Sequence, residues 1–271
     1  MKSPTLVRPP ITWHGSKATL ARRILQHFPA HQTYVEPFGG SGALLLAKPR
    51  APVEVYNDLS GNLVNLFRVL RDPSEFSRLR DAAGWTLYSR AEFNLSKEPH
   101  DDPVERARRF LVRCRQSRGG LGEQWSYCVS DSALGVSSAA RKWLAGLERL
   151  PLVHQRLQGV QIEAADWRDV MRCYDSLETL FYLDPPYVPQ TRVGGKYQHE
   201  LELDDHLRIV EHLLRNVQGM TILSGYAHEA YAPLEAAGWT RHDYSVKANS
   251  SATRAARTES LWLSPNCQPR H

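Results

Sequence analysis

Thr179-Leu180-Phe181-Tyr182-Leu183 is a run of strand formers, nearly all apolar, and it stops at Asp184-Pro185-Pro186-Tyr187. Side chains alternate faces along a strand, so such a run must be covered on both sides. Strands of that kind lie at the centre of parallel sheets, with helices on both faces. The two prolines lock φ and remove two backbone donors, so the strand has to end there.

The rest of the chain fits that plan. Thr33-Tyr34-Val35-Glu36-Pro37-Phe38 reads as a strand entering a glycine turn, residues 43–48 as the start of a helix, and 53–57 as a second strand. Residues 61–70 read as a helix with Leu63, Leu66, Phe67 and Leu70 on one face. Strand patterns return at 159–164, 179–183, 220–224, 239–246 and 259–263, with helices at 18–28 and 204–217. Strands alternating with helices define an α/β protein. Residues 71–150 differ: they look mostly helical, are rich in Arg and break at Gly119-Gly120-Leu121-Gly122. The expected division is one domain from 1–70 and 151–271, with 71–150 as an inserted helical lobe.

Seven Trp, eleven Tyr and seven Phe in 271 residues exclude wholesale disorder. No window approaches the roughly 18 apolar residues of a membrane helix, and the first residues lack a signal peptide's apolar stretch. Cysteines at 114, 128, 173 and 267 have neither C-x-x-C nor zinc-finger spacing. Free thiols in a reducing cytoplasm are expected, with no metal site. The net charge is +5, and 27 of the 34 basic residues are Arg. That balance suits a nucleic-acid partner.

Three constellations carry chemistry. In Glu36-Pro37-Phe38-Gly39-Gly40-Ser41-Gly42, between a strand and a helix, glycines permit a tight turn and close approach of a ligand to the backbone. Asp58 follows at the end of the next strand, where a carboxylate can accept from both ribose hydroxyls of an adenosine-containing cofactor. The G-G-x-G spacing is not the dinucleotide fingerprint. Asp184-Pro185-Pro186-Tyr187 falls at a strand's carboxyl end, where open α/β sheets bind ligands. Asp184 and the Pro185 carbonyl can accept both hydrogens of an exocyclic amine, leaving its lone pair available, and Tyr187 offers a face for a flat base. Trp13-His14-Gly15-Ser16-Lys17 precedes a helix, where a helix N-terminus and the Lys17 ammonium would suit a carboxylate.

In this order the three motifs resemble the Dam-type family of adenine-specific DNA methyltransferases, and most closely its short phage and prophage members. The resemblance covers most of the chain and is strongest over 11–70 and 179–265. It implies a Rossmann-like class I fold with a mixed seven-stranded sheet and S-adenosylmethionine as cofactor. By it, Trp13, Gly15 and Lys17 match the N-terminal cofactor motif, and Glu36, Phe38, Gly39, Gly40 and Gly42 the glycine-rich loop. Asp58 matches the ribose acid, Asp166 the residue near the cofactor's adenine, and Asp184, Pro185, Pro186 and Tyr187 the catalytic motif. Ser224-Gly225-Tyr226 and the strand at 258–262 are looser matches.

Double-stranded DNA is the expected partner, with the adenine flipped from the duplex. The protein is expected in the cytoplasm, as a monomer by default. Six arginines lie between Glu105 and Arg118. Of these, Arg113, Arg115 and Arg118 are candidate DNA contacts. So are Arg254 and Arg257 in a basic loop at 247–258. Methylation of another amine, as in RNA, and a catalytically silent DNA-binding relative stay open as rival readings. The glycine spacing disfavours a nicotinamide oxidoreductase.

Overall fold

The computed structural model describes residues 6–129, 132–133, 135–191, 200–247 and 256–267. Its strands, in chain order, are β1 (Thr33–Glu36), β2 (Val53–Asn57), β3 (Ser132–Ala133), β4 (Val136–Ser137), β5 (Val160–Glu163), β6 (Thr179–Leu183), β7 (Met220–Tyr226), β8 (Thr240–Lys247) and β9 (Ala256–Leu263). β3 and β4 form a small ribbon; the others form one seven-stranded sheet in the order β5-β2-β1-β6-β7-β9-β8. β2, β1, β6 and β7 run parallel. β9 runs antiparallel to both β7 and β8. The mixed seven-stranded α/β sheet is the one expected.

The chain divides into two compact units. One comprises Met1–Ala21, Gly40–Lys48 and Ser60–Ile162; the other comprises Arg22–Gly39, Pro49–Leu59 and Glu163–His271. The first is mainly helical and the second holds most of the sheet.

In the sheet unit, every residue of β6 is buried. Val35, Val55, Phe181 and Leu183 join a core with Trp167, Val170 and Met171 of the helix Trp167–Tyr174 and with Ile209, Val210 and Leu213 of the helix Leu203–Arg215. The alternate residues, Tyr34 and Tyr182, meet Phe28, with ring centroids 5.5 and 6.2 Å away. An apolar strand is thus covered on both faces.

The helical unit contains the helices Gly61–Arg71, Pro73–Gly84, Arg90–Leu95, Pro103–Arg115, Ser138–Leu147 and Leu150–Leu157. Two begin with Asp-Pro: the carboxylates of Asp72 and Asp102 accept from the backbone N–H of Glu75 and Glu105, and the prolines occupy the first helical turn. Asp184-Pro185 starts no such helix, because the following Pro186 drives Pro185 out of the helical region. Within this unit Arg108 bridges Glu105 and Glu92, both at 2.7 Å.

Three expectations change. Residues 18–28 hold a single 3-10 turn, Lys17–Thr19, and a short helix, Ala21–Leu25. Pro29 disfavours helix at Phe28, which fits that early end. β8 keeps its expected length one residue further on, β9 begins three residues earlier than expected, and the two pair Lys247 with Ala256, so both ends of the expected basic loop are strand. Its middle, with Arg254, lies outside the described residues, and Arg257 sits on β9.

Burial holds the phenols of Tyr34, Tyr56 and Tyr182 well above their usual value of 10.0. A group whose folded pKa is raised contributes fully below its unfolded pKa and loses that contribution above it. The urea midpoint should therefore fall as pH rises beyond about 10, with these tyrosines ionising only on unfolding. Urea titrations at pH 8 and pH 11, followed by tyrosinate absorbance, test this.

Candidate active site

In the sheet unit, β6 ends against Asp184, which is half-buried, and Pro185, which is buried. Tyr187 is 3% exposed. Its hydroxyl lies 3.0 Å from Ser224 Oγ on β7 and 3.1 Å from each Glu259 carboxylate oxygen on β9. Burial, then the charges of Asp184 and Glu259, raise its pKa well above the ordinary phenol value, so the proton stays on. The phenol then donates to Glu259, whose ionised carboxylate can only accept, and accepts from the Ser224 hydroxyl. Tyr226 packs edge-on against the Tyr187 ring, centroids 4.6 Å apart. Asp184 also adds to the burial effect that raises Tyr182 and Tyr231. Its charge therefore sits among three phenols.

At the end of β1, Glu36 is buried and accepts from Tyr34 Oη at 2.7 Å. Gly39 N–H donates to Asn57 O at 2.7 Å. A Cβ on Gly39 would lie 2.2 Å from the Tyr56 ring, so no larger residue fits. Asn57, 1% exposed, donates to the carbonyls of Pro37 and Ala165 and accepts from Ala165 N–H at 2.9 Å. One side chain thus ties the loops after β1 and β5 to the end of β2, directly before half-buried Asp58. Asp166 caps the helix Trp167–Tyr174 and pairs with Arg168 at 2.9 Å. Phe38 faces Trp167 at 6.1 Å.

In the helical unit, Gly40 and Gly42 have φ of 50° and 64°, a region that favours glycine. A Cβ on Gly40 would sit 3.2 Å from Trp13 Nε1, and Ser16 and Ser41 hydroxyls bond at 2.8 Å. The N-terminal motif and the second half of the glycine turn therefore pack together. Lys17 is 4% exposed and its ammonium donates to Gly15 O at 3.0 Å. Ser16 does not cap with its side chain, and a three-residue 3-10 turn offers no helix N-terminus for an anion. The charge there is that of Lys17.

The arginines fall in different places. Arg118 is exposed and Arg113 half-buried beside Gly122. Arg115 is folded against its own unit: its guanidinium donates to the carbonyls of Pro10 and Lys142. All four cysteines are free thiols. Among the described residues no group of three His, Cys, Asp or Glu is placed to hold a metal. Sequence reasoning missed Asn57 and Glu259. A carboxylate at the start of an apolar strand pattern, Glu259, was a visible signal; Asn57 offered none, since its role depends on two loops far apart in the chain.

Residues 13–232 match the family of D12 class N6 adenine-specific DNA methyltransferases. The chain belongs to that family, for which S-adenosylmethionine is the methyl donor. It is 26% identical to a DNA adenine methylase of Serratia marcescens over 66% of each chain, about two thirds of that relative's length. It is 25% identical to the type II methyltransferase M1.LlaDCHI of Lactococcus lactis subsp. cremoris over 75% of each. With the retron Ec67 DNA adenine methylase of Escherichia coli it shares 31% identity over 41% of each. Among solved structures, an rRNA methyltransferase, aviRa, from Streptomyces viridochromogenes aligns at 12% identity and a TM-score of 0.42, over 98% of this chain and 92% of that one.

The residues present fit the methyl donor. In the sheet unit Gly39 leaves no room for a Cβ and Asp58 stands at the strand end; in the helical unit a Cβ on Gly40 would lie 3.2 Å from Trp13 Nε1 and Lys17 is a buried ammonium. Asn57→Ala should release the two loops and weaken S-adenosylmethionine binding about tenfold, with a stability loss of about 1–3 kcal/mol. Calorimetric titration and urea unfolding of the variant measure both.

Proposed function

We propose that this chain methylates the exocyclic amine of an adenine flipped out of double-stranded DNA, with Asp184-Pro185-Pro186-Tyr187 as the catalytic motif. The observation that carries the reading is the end of β6. There the Asp184 carboxylate acts on the phenol of Tyr187, which is held by Ser224 and Glu259.

In the sheet unit, Asp58 would take the cofactor's ribose hydroxyls, with Glu36, Phe38 and Gly39 beside them and Asp166 toward its adenine. In the helical unit, Lys17 would take the methionine carboxylate, with Trp13, Gly15, Gly40 and Gly42 shaping the surface around it. When bound, the cofactor supplies an electrophilic methyl on a good leaving group. Asp184 and the Pro185 carbonyl accept the two amine hydrogens, which leaves the nitrogen lone pair to attack. Positive charge grows on that nitrogen, and the nearby Asp184 carboxylate stabilises it and stands ready for the departing proton. Flipping the base costs a few kcal/mol; stacking on Tyr187, 3% exposed, would offset about 1–3 kcal/mol once the groups covering its ring move aside. Positioning, rather than a covalent intermediate, carries the rate.

Residues 71–150 are the proposed target-recognition lobe, and residues 1–70 with 151–271 the catalytic part. The lobe presents Arg118 to solvent and exposes Trp85, Leu87, Tyr127 and Val129. Arg90 lies over the Trp125 ring at 4.7 Å, and Tyr88 donates to Ser126 O at 2.6 Å, tying the two aromatic segments. Aromatic and basic groups side by side suit nucleic acid. Arg113, Arg254 and Arg257 are further candidate contacts. No helix among the described residues is long and apolar enough to cross a membrane. Action as a monomer, on DNA in the cytoplasm, completes the proposal.

Methyl transfer from labelled S-adenosylmethionine into duplex DNA, single-stranded DNA and RNA tests it. Label should enter duplex DNA at adenine N6 and fall more than about a hundredfold in Asp184→Ala. Label in RNA alone, or cofactor binding with no transfer, would overturn it. Glu259→Gln should lower kcat about tenfold while leaving KM for the cofactor unchanged, because it loosens the Tyr187 hydroxyl.

A further inference from the structure

The helix Pro103–Arg115 and the glycine turn behind it meet one short stretch of chain at three points, all inside the helical unit. Arg115, the last residue of the helix, donates through Nη1 to Pro10 O at 3.0 Å and through Nη2 to Lys142 O. Gly120, at φ 76°, approaches so closely that a Cβ there would lie 2.5 Å from Thr12 O. The Phe110 ring stands edge-on to the Trp13 ring at 6.1 Å. Pro10, Thr12 and Trp13 belong to the arm that leads into Trp13-His14-Gly15-Ser16-Lys17. That arm has no helix or strand before Lys17 among the described residues.

The site around Arg115 is built for it. A Cβ on Gly146 would sit 2.1 Å from Arg115 Nε, so the helix Ser138–Leu147 leaves a notch the size of the guanidinium. Among the described residues, Nε itself is buried with no hydrogen-bond partner. Burial, then the neighbouring Arg149 charge, lowers the Arg115 pKa to about 10, which leaves it charged at neutral pH. A half-buried cation that, among the described residues, meets two neutral carbonyls and no carboxylate is an expensive way to gain stability. It makes sense where geometry matters. A planar fork with donors on two nitrogens fixes two carbonyls at once, and one of them precedes Trp13 by three residues.

We propose that Arg115, with Gly120, is a brace that positions the Trp13–Lys17 motif for S-adenosylmethionine, and that it is not a DNA contact. The inference rests on the reading that Trp13 and Lys17 hold the cofactor. It separates two arginines three residues apart: Arg115 acts inward on the arm, and Arg118 faces solvent.

The test compares the full chain with Arg115→Met, Arg115→Lys and Arg118→Ala by two readouts. One is calorimetric binding of S-adenosylmethionine without DNA; the other is duplex binding as a function of salt. Arg115→Met should weaken cofactor binding about tenfold and leave the salt slope unchanged. Arg115→Lys, with an ammonium that cannot span both carbonyls, should fall between. Arg118→Ala should reduce the salt slope by about one and leave cofactor affinity unchanged. If Arg115→Met lowers the salt slope and leaves cofactor affinity intact, Arg115 is on the phosphates and the proposal is wrong. If Arg115→Met does not fold, Arg115→Lys decides: cofactor affinity equal to that of the unaltered chain overturns the brace. An unaltered chain that binds no S-adenosylmethionine would instead overturn the functional reading beneath it.

Discussion

Burial of β6 on both faces and pairing along both its edges set up everything that acts in the sheet unit. The strand cannot slide without exposing Phe181 or Tyr182, so Leu183 is held in place. Asp184 follows at a fixed point, and two prolines keep the chain extended where a helix would otherwise begin. An acid poised at the end of such a strand inherits the rigidity of the whole sheet.

That rigidity is extended to Tyr187 by strands remote in sequence. β7 runs parallel to β6 and brings Ser224; β9 runs the other way and brings Glu259 into register with Tyr226. A purely parallel sheet would carry the chain toward its carboxyl end at every strand. The antiparallel β9 instead delivers a carboxylate near its beginning to that same end. Asn57 does comparable work on the other side, where its amide joins two loops to the end of β2.

The arginines show how poorly charge count predicts role. Arg108 lies between Glu92 and Glu105, and Arg115 lies on carbonyls. Both tie helices and loops together within their unit. Sequence shows the charge, whereas burial and partners decide whether it faces inward or outward.

Much of the fold could be read directly. β2 and β6 fall where their patterns place them, because period and apolar run length are local properties. The glycine turn, Asp58 and the Asp-Pro-Pro-Tyr motif could be picked out as candidates for the same reason: each is contained in a few consecutive residues. The helix at 18–28 was overread, since local periodicity does not register that Pro29 and tertiary contacts cut it short. The Glu259–Tyr187 bond, the Asn57 staple and the inward turn of Arg115 each join residues tens of positions apart or more. Their partners exist only once the strands have chosen neighbours and the helices have packed. Local chemistry therefore settles which groups are available, and long-range packing settles which of them meet.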